Sequence, residues 1–178
     1  VTITGNVGES EMKGLEVEIS AVPVEGLHLW LSSAFYDGEY ITKEFFGDSR
    51  VALAPDYAVP AGISFTKEVA SGGEASFDLS WAFKDDYIME PRAPDEEGPF
   101  LSGFDEQINA KLSYETANDE WKFSLWAKNL ADERYVIYGQ DLWPFAYADA
   151  EVTAEVAAAN QPRYSPPRTF GLTINRSF

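Results

Sequence analysis

No cysteine occurs among the 178 residues. Disulfide frameworks, thiolate-bound zinc and a cysteine nucleophile are therefore excluded. Histidine occurs once, as His28, which excludes a multi-histidine metal centre and leaves no credible Ser–His–Asp set. Basic residues are scarce: 13 Lys and Arg stand against 30 Asp and Glu, a formal net charge of −17. Nucleic acid is not an expected partner, because phosphate binding needs a basic patch. No apolar run approaches the roughly 18 residues of a membrane helix. Neither a signal peptide nor a Met opens the chain, and no glycine-rich phosphate loop is present. No enzymatic activity, cofactor or metal is expected.

What the chain has is apolar and aromatic content, 45% and 15% respectively, too much for a disordered polymer. Its dominant period is two. Leu15, Val17, Ile19 and Ala21 alternate with Glu16, Glu18 and Ser20. Leu27, Leu29, Leu31 and Phe35 alternate with His28, Trp30, Ser32 and Tyr36. The same holds for Tyr57–Phe65, with Pro60 among the small residues, and for Ala75–Phe83, Ile108–Tyr114 and Trp121–Ala127. A last run, "TFGLTINRSF", places Phe170, Leu172, Ile174 and Phe178 against small or polar neighbours. Seven strands are expected. The one helix candidate is 148–160, with Asp149 at its N-cap, inside a long loop. "PVEG", "ASGG" and "TAND" read as tight turns, whereas about 41–54, 88–104 and 138–164 are long connections. Short turns thus gather at one edge of the sheet and long loops at the other.

Two packings use such strands. A soluble β-sandwich buries the apolar faces against each other. A transmembrane barrel turns them to lipid, with a polar lumen, aromatic girdles, short periplasmic turns and long outer loops. Small and polar residues on the second face, aromatics near strand ends and the alternation of loop lengths favour the barrel. A sandwich used for binding, or a passive porin-like barrel, is the rival. Seven strands cannot close a bacterial barrel, whose strand number is even and at least 8, so either further strands lie upstream or the sandwich reading holds.

Three stretches carry a family resemblance. "GNVGESEMKGLEVEISAVPVEGLHLWLSSAFYDGEY" (5–40), "WKFSLWAKNLADERY" (121–135), with Asn129, Leu130, Asp132 and Tyr135, and "YSPPRTFGLTINRSF" (164–178) resemble, in this order, strands near the end of TonB-dependent outer-membrane receptors. The resemblance implies an all-β, antiparallel transmembrane barrel of 22 strands, of which residues 1–178 supply the last seven. The plug domain and the energy-coupling box are not in this sequence, which is expected to be a segment of a longer receptor. Function would be active import of a scarce solute, such as a ferric siderophore, across the outer membrane of a Gram-negative bacterium. Partners would be outer-membrane lipid, the TonB complex acting through the plug, the barrel-assembly machinery and the imported solute.

Candidate residues follow. Trp143, Phe145 and Tyr147 lie in the aromatic stretch "YGQDLWPFAYAD" and could contact a ligand or pack the loop onto the rim. By resemblance, Phe170, Leu172, Ile174 and Phe178 form the signal read by the assembly machinery. Asn129, Asp132 and Tyr135 are expected to be structural, as is His28. The acidic run Asp85, Asp86, Glu90, Asp95, Glu96 and Glu97 suits hard cations or a solvated loop. Arg176 stands where the family favours an apolar residue, and its long side chain is expected to snorkel toward headgroups.

Overall fold

Strict alternation of apolar and polar side chains becomes extended chain here, because only a period of two lets one face stay apolar throughout. A computed structural model describes residues 8–42, 50–89, 101–138 and 162–177. Among these residues nine strands form: β1 (Ser10–Val24), β2 (Leu27–Tyr40), β3 (Tyr57–Glu68), β4 (Glu74–Ile88), β5 (Leu101–Glu115), β6 (Trp121–Lys128), β7 (Val136–Tyr138), β8 (Arg163–Tyr164) and β9 (Thr169–Arg176). Seven of them make one antiparallel sheet in the order β1-β2-β3-β4-β5-β6-β9, and β7 and β8 form a separate two-stranded ribbon. No helix occurs among the described residues; the candidate at 148–160 lies outside them. The ribbon was not expected: two and three residues are too few to show a period.

The three tight turns lie at one edge. Gly26 takes φ 81° and its carbonyl accepts the Thr66 amide at 2.9 Å, so the first turn is tied to β3. The Val69 amide donates to Gly73 O at 2.8 Å, and the Thr116 amide to Trp121 O at 2.9 Å. Two prolines sit inside strands, where a missing N–H should break the ladder. Pro23 lies on edge strand β1, within the register shift between Ala21 and Val24. Pro60 is in a central strand. There the β2–β3 pairing runs to Leu31↔Ala61 and resumes at Ala34↔Ala58, leaving a gap opposite the residue that cannot donate.

The sheet has no conventional core. Among the described residues the buried hydrophobic one is Met89, at 9% exposure, whereas Ser33, Ser113, Ser124, Asn129 and Ser165 are buried. The large apolar side chains are bare: Leu125 is 57% exposed and Phe170 78%. They form rows that cross the sheet. One row is Ala21–Leu29–Ile63–Leu79–Ala110–Ala127–Phe170, one residue from each strand. Its neighbour is Leu27–Phe65–Phe77–Leu112–Leu125–Leu172. Neither contains a charge. A sandwich would cover this face with a second sheet of similar size; among the described residues the second sheet is the β7–β8 ribbon of three and two residues, too small to do so.

Candidate functional site

On the opposite face, cross-strand partners are bonded through their side chains. Ser64 Oγ donates to Asp78 at 2.8 Å, Ser113 and Ser124 hydroxyls are 2.9 Å apart, and Lys122 Nζ donates to Glu115 at 2.9 Å. All three are register pairs. Aromatic rings on this face lie against glycines. Tyr36, Trp30 and Trp126 are the cross-strand partners of Gly14, Gly62 and Gly171. A Cβ at Gly14 or Gly171 would fall within 2.5 Å of the facing ring, and one at Gly62 would collide with the Trp30 indole. The Tyr36 hydroxyl donates to Glu16 at 2.5 Å and Trp126 Nε1 to Thr173 Oγ1 at 3.1 Å. The Tyr36 and Trp126 rings are thus held both by the facing glycine and by a hydrogen bond, and Trp30 by packing on Gly62 alone.

Between the pinned rings the polar face opens into a cleft of about 320 Å³ lined by Trp30, Ser64, Asp78, Asn109, Lys111, Trp126 and Lys128, among others. A second cleft of about 390 Å³ reaches from Asn109 and Lys128 to Pro166, Pro167 and Thr169. Asn109 and Lys128 line both.

The second cleft ends against a clasp built by the expected motif residues. Asn129 is 4% exposed and left-handed, φ 53°. Its Nδ2 donates to Glu133 O at 2.9 Å and Pro166 O at 3.0 Å, and its Oδ1 accepts the Glu133 amide at 3.0 Å. Asp132, φ 58°, accepts the Arg168 amide at 2.8 Å. Tyr135 and Ser165 bond reciprocally, Tyr135 N to Ser165 Oγ at 3.2 Å and Ser165 N to Tyr135 O at 2.8 Å. Gln107 Nε2 lies 3.4 Å from the Tyr135 hydroxyl. The clasp therefore joins the chain leaving β6 to the chain entering β9, across the long connection.

The other candidates are dispersed. Phe170, Leu172 and Ile174 lie on the exposed apolar face of edge strand β9. Phe178, Trp143, Phe145 and Tyr147 are outside the described residues. His28 Nε2 is 2.8 Å from Ser20 Oγ, a structural contact. Of the acidic run, Asp85 and Asp86 face Arg50 at 3.9 and 3.3 Å, so a guanidinium occupies the place a cation would take; Glu90, Asp95, Glu96 and Glu97 are outside the described residues. Among the described residues no group of three or more His, Cys, Asp or Glu could hold a metal ion. The Arg176 guanidinium bonds Glu120 at 2.7 Å and lies 5.0 Å over the Trp121 ring, so a carboxylate and an indole beside the turn hold it. The cleft residues Trp30, Lys111, Trp126 and Lys128 were visible in sequence as polar-face positions, but only register brings them together.

No family model matches the chain. In fold it is similar to the ferric yersiniabactin uptake receptor FyuA from Yersinia pestis, with a TM-score of 0.76 at 16% sequence identity, over 96% of this chain and 24% of that one. The chain spans about a quarter of the receptor it matches. At this identity the likeness is one of fold alone: an all-β, antiparallel sheet of seven strands that matches part of that structure.

Proposed function

We propose that the chain is a wall segment of an active-transport receptor in the outer membrane of a Gram-negative bacterium, importing a scarce solute such as a ferric siderophore with energy delivered through TonB. The observation that carries this reading is the bare apolar band, whose two central rows carry no charge. Trp81 and Phe83 stack 6.2 Å apart toward the long connections, and Trp121 and Phe123 stack 6.2 Å apart beside a short turn. Carried through the register to β4, Phe123 is level with Ala75, six residues from Trp81; the outermost rings, Phe83 and Trp121, are about ten residues apart, about 34 Å along the chain. Tilted as barrel strands are, that corresponds to about 25 Å, the height of the lipid-facing band of outer-membrane barrels.

The likeness in fold to an iron–siderophore receptor supports the same reading. Lipid would wet the apolar face and the polar face would line the interior. The free edge of β9 would pair with the first strand of the whole barrel. In this reading Phe170, Leu172 and Ile174 present the assembly signal, and a plug elsewhere in the protein couples to TonB.

Fractionation of cells making the full-length protein tests the reading. The expected result is a product that pellets with outer membranes and migrates faster unheated than boiled on a gel. A product soluble without detergent would overturn it. A passive pore differs from a receptor in lacking a plug of about 100–150 residues, one ordinary domain, ahead of the barrel. Saturable uptake of a ferric siderophore that stops when TonB is deleted would decide for the receptor.

A further inference from the structure

We propose that the cleft between Trp30 and Trp126 is a binding site for a small organic anion carrying a planar ring, such as an aryl carboxylate. The proposal rests on the reading that the polar face is the aqueous interior of a barrel.

The local charge runs against that of the chain. Although the protein carries −17 overall, this cleft is lined by Lys111 and Lys128 against one carboxylate, Asp78. Asp78 accepts a hydrogen bond from Ser64 at 2.8 Å. Lys111 is its cross-strand partner, yet no ion pair forms between them among the described residues. The Lys111 ammonium is thus exposed and not neutralised by contact. Lys128 projects its ammonium 5.7 Å from the centre of the Trp126 ring. Two cations beside an aromatic wall favour an anion that also has a flat face.

The walls are prepared for such a group. Trp30 is held against Gly62 and Trp126 against Gly171, and Thr173 fixes the Trp126 nitrogen at 3.1 Å. Held rings lose little further freedom on binding, which is how rigid aromatic walls raise affinity. Asn109 lies between them, held in place by the Asn129 amide on its Oδ1 at 3.0 Å and by Ser80 Oγ 3.4 Å from its Nδ2. The volume, about 320 Å³, is at the small end of small-molecule sites, roughly 300–1,000 Å³, and too small for a folded partner. The adjoining cleft shares Asn109 and Lys128, which gives an anion a route from the clasp toward the middle of the wall.

Titration of the full-length protein in detergent with 2-naphthoate tests this, followed by calorimetry and tryptophan fluorescence. The expected result is saturable binding, with neutral 2-naphthylmethanol at least tenfold weaker and acetate unable to compete. Lys111→Gln and Lys128→Gln are each expected to weaken naphthoate severalfold, and the double variant by tenfold or more, with naphthylmethanol unchanged. Both lysines are exposed, and heat-modifiable migration checks that the variants are assembled. Absence of saturable naphthoate binding to the wild type, or unchanged affinity in the assembled double variant, overturns the site. A wild type that migrates alike boiled and unboiled defeats the barrel reading instead, and the naphthoate titration still decides the cleft.

Discussion

Trp126 on β6 occupies the space in front of Gly171 on β9: a Cβ at 171 would lie 2.5 Å from the indole. The two are register partners, and the indole is anchored through Thr173. Gly171→Val should therefore expel the ring or displace the edge strand, at a cost of about 1–3 kcal/mol, the usual range for overpacking. Refolding of the full-length protein into micelles under a urea gradient measures it. In a Trp126→Ala background the same valine should cost much less, because the obstacle is gone. Additive effects of the two changes would show that the contact does not govern the pairing.

Asn129 closes the clasp by three side-chain hydrogen bonds in a backbone conformation that favours Asn or Gly. Asn129→Ala removes these bonds from the part-exposed Glu133 and Pro166 backbone groups and adds left-handed strain. A loss of about 1–3 kcal/mol is expected from the lost hydrogen bonds together with the strain. Asn129→Gly relieves the strain but not the lost bonds, so its midpoint should fall between those of alanine and wild type. Equal midpoints for alanine and wild type would remove the clasp as a stabilising device.

The Arg176–Glu120 pair is half-exposed, with side chains 44% and 36% accessible. Such pairs contribute about 0–1 kcal/mol. Arg176→Leu should leave the urea midpoint nearly unchanged, and the double-mutant cycle with Glu120→Gln should give a coupling below about 1 kcal/mol. A larger coupling would mean that the Trp121 stack holds the pair in a drier setting than its exposure implies.

The long strands were legible because each of β1 to β6 and β9 repeats its period several times, and because "ASGG" and "TAND" interrupt it sharply. Their edges were less so: β6 ends at Lys128, where Asn129 turns left-handed and the alternation breaks, a polar Asn at the next apolar position being followed by Leu130 at a polar one. Pro60 argues in sequence for an edge strand, yet its strand lies between β2 and β4, and the gap in pairing that admits it is a property of two strands together. The same limit hid the cleft. Trp30, Lys111 and Trp126 belong to three strands, and which residues face one another depends on register. The family motif at Asn129, Asp132 and Tyr135 was visible as a pattern, but its partners Ser165, Pro166 and Arg168 lie across the long connection.

Leu125 lies in a charge-free row, 57% exposed, between Leu112 and Leu172. If this face meets lipid, Leu125→Arg places a guanidinium in hydrocarbon at about 2–4 kcal/mol near the midplane. If it meets water, the change is nearly neutral, since surface substitutions usually stay within about 0.5 kcal/mol. Ser32→Arg puts the same group on the polar face, facing Glu18 across the register, and should be tolerated in a wet interior. The expected pattern is therefore asymmetric: Leu125→Arg lowers the yield of heat-modifiable protein in outer membranes and its urea midpoint, and Ser32→Arg changes neither. A Leu125→Arg protein that assembles and unfolds like the wild type would mean that the apolar band does not face lipid. The asymmetry assigns the two faces of the sheet to two solvents without knowledge of the transported solute.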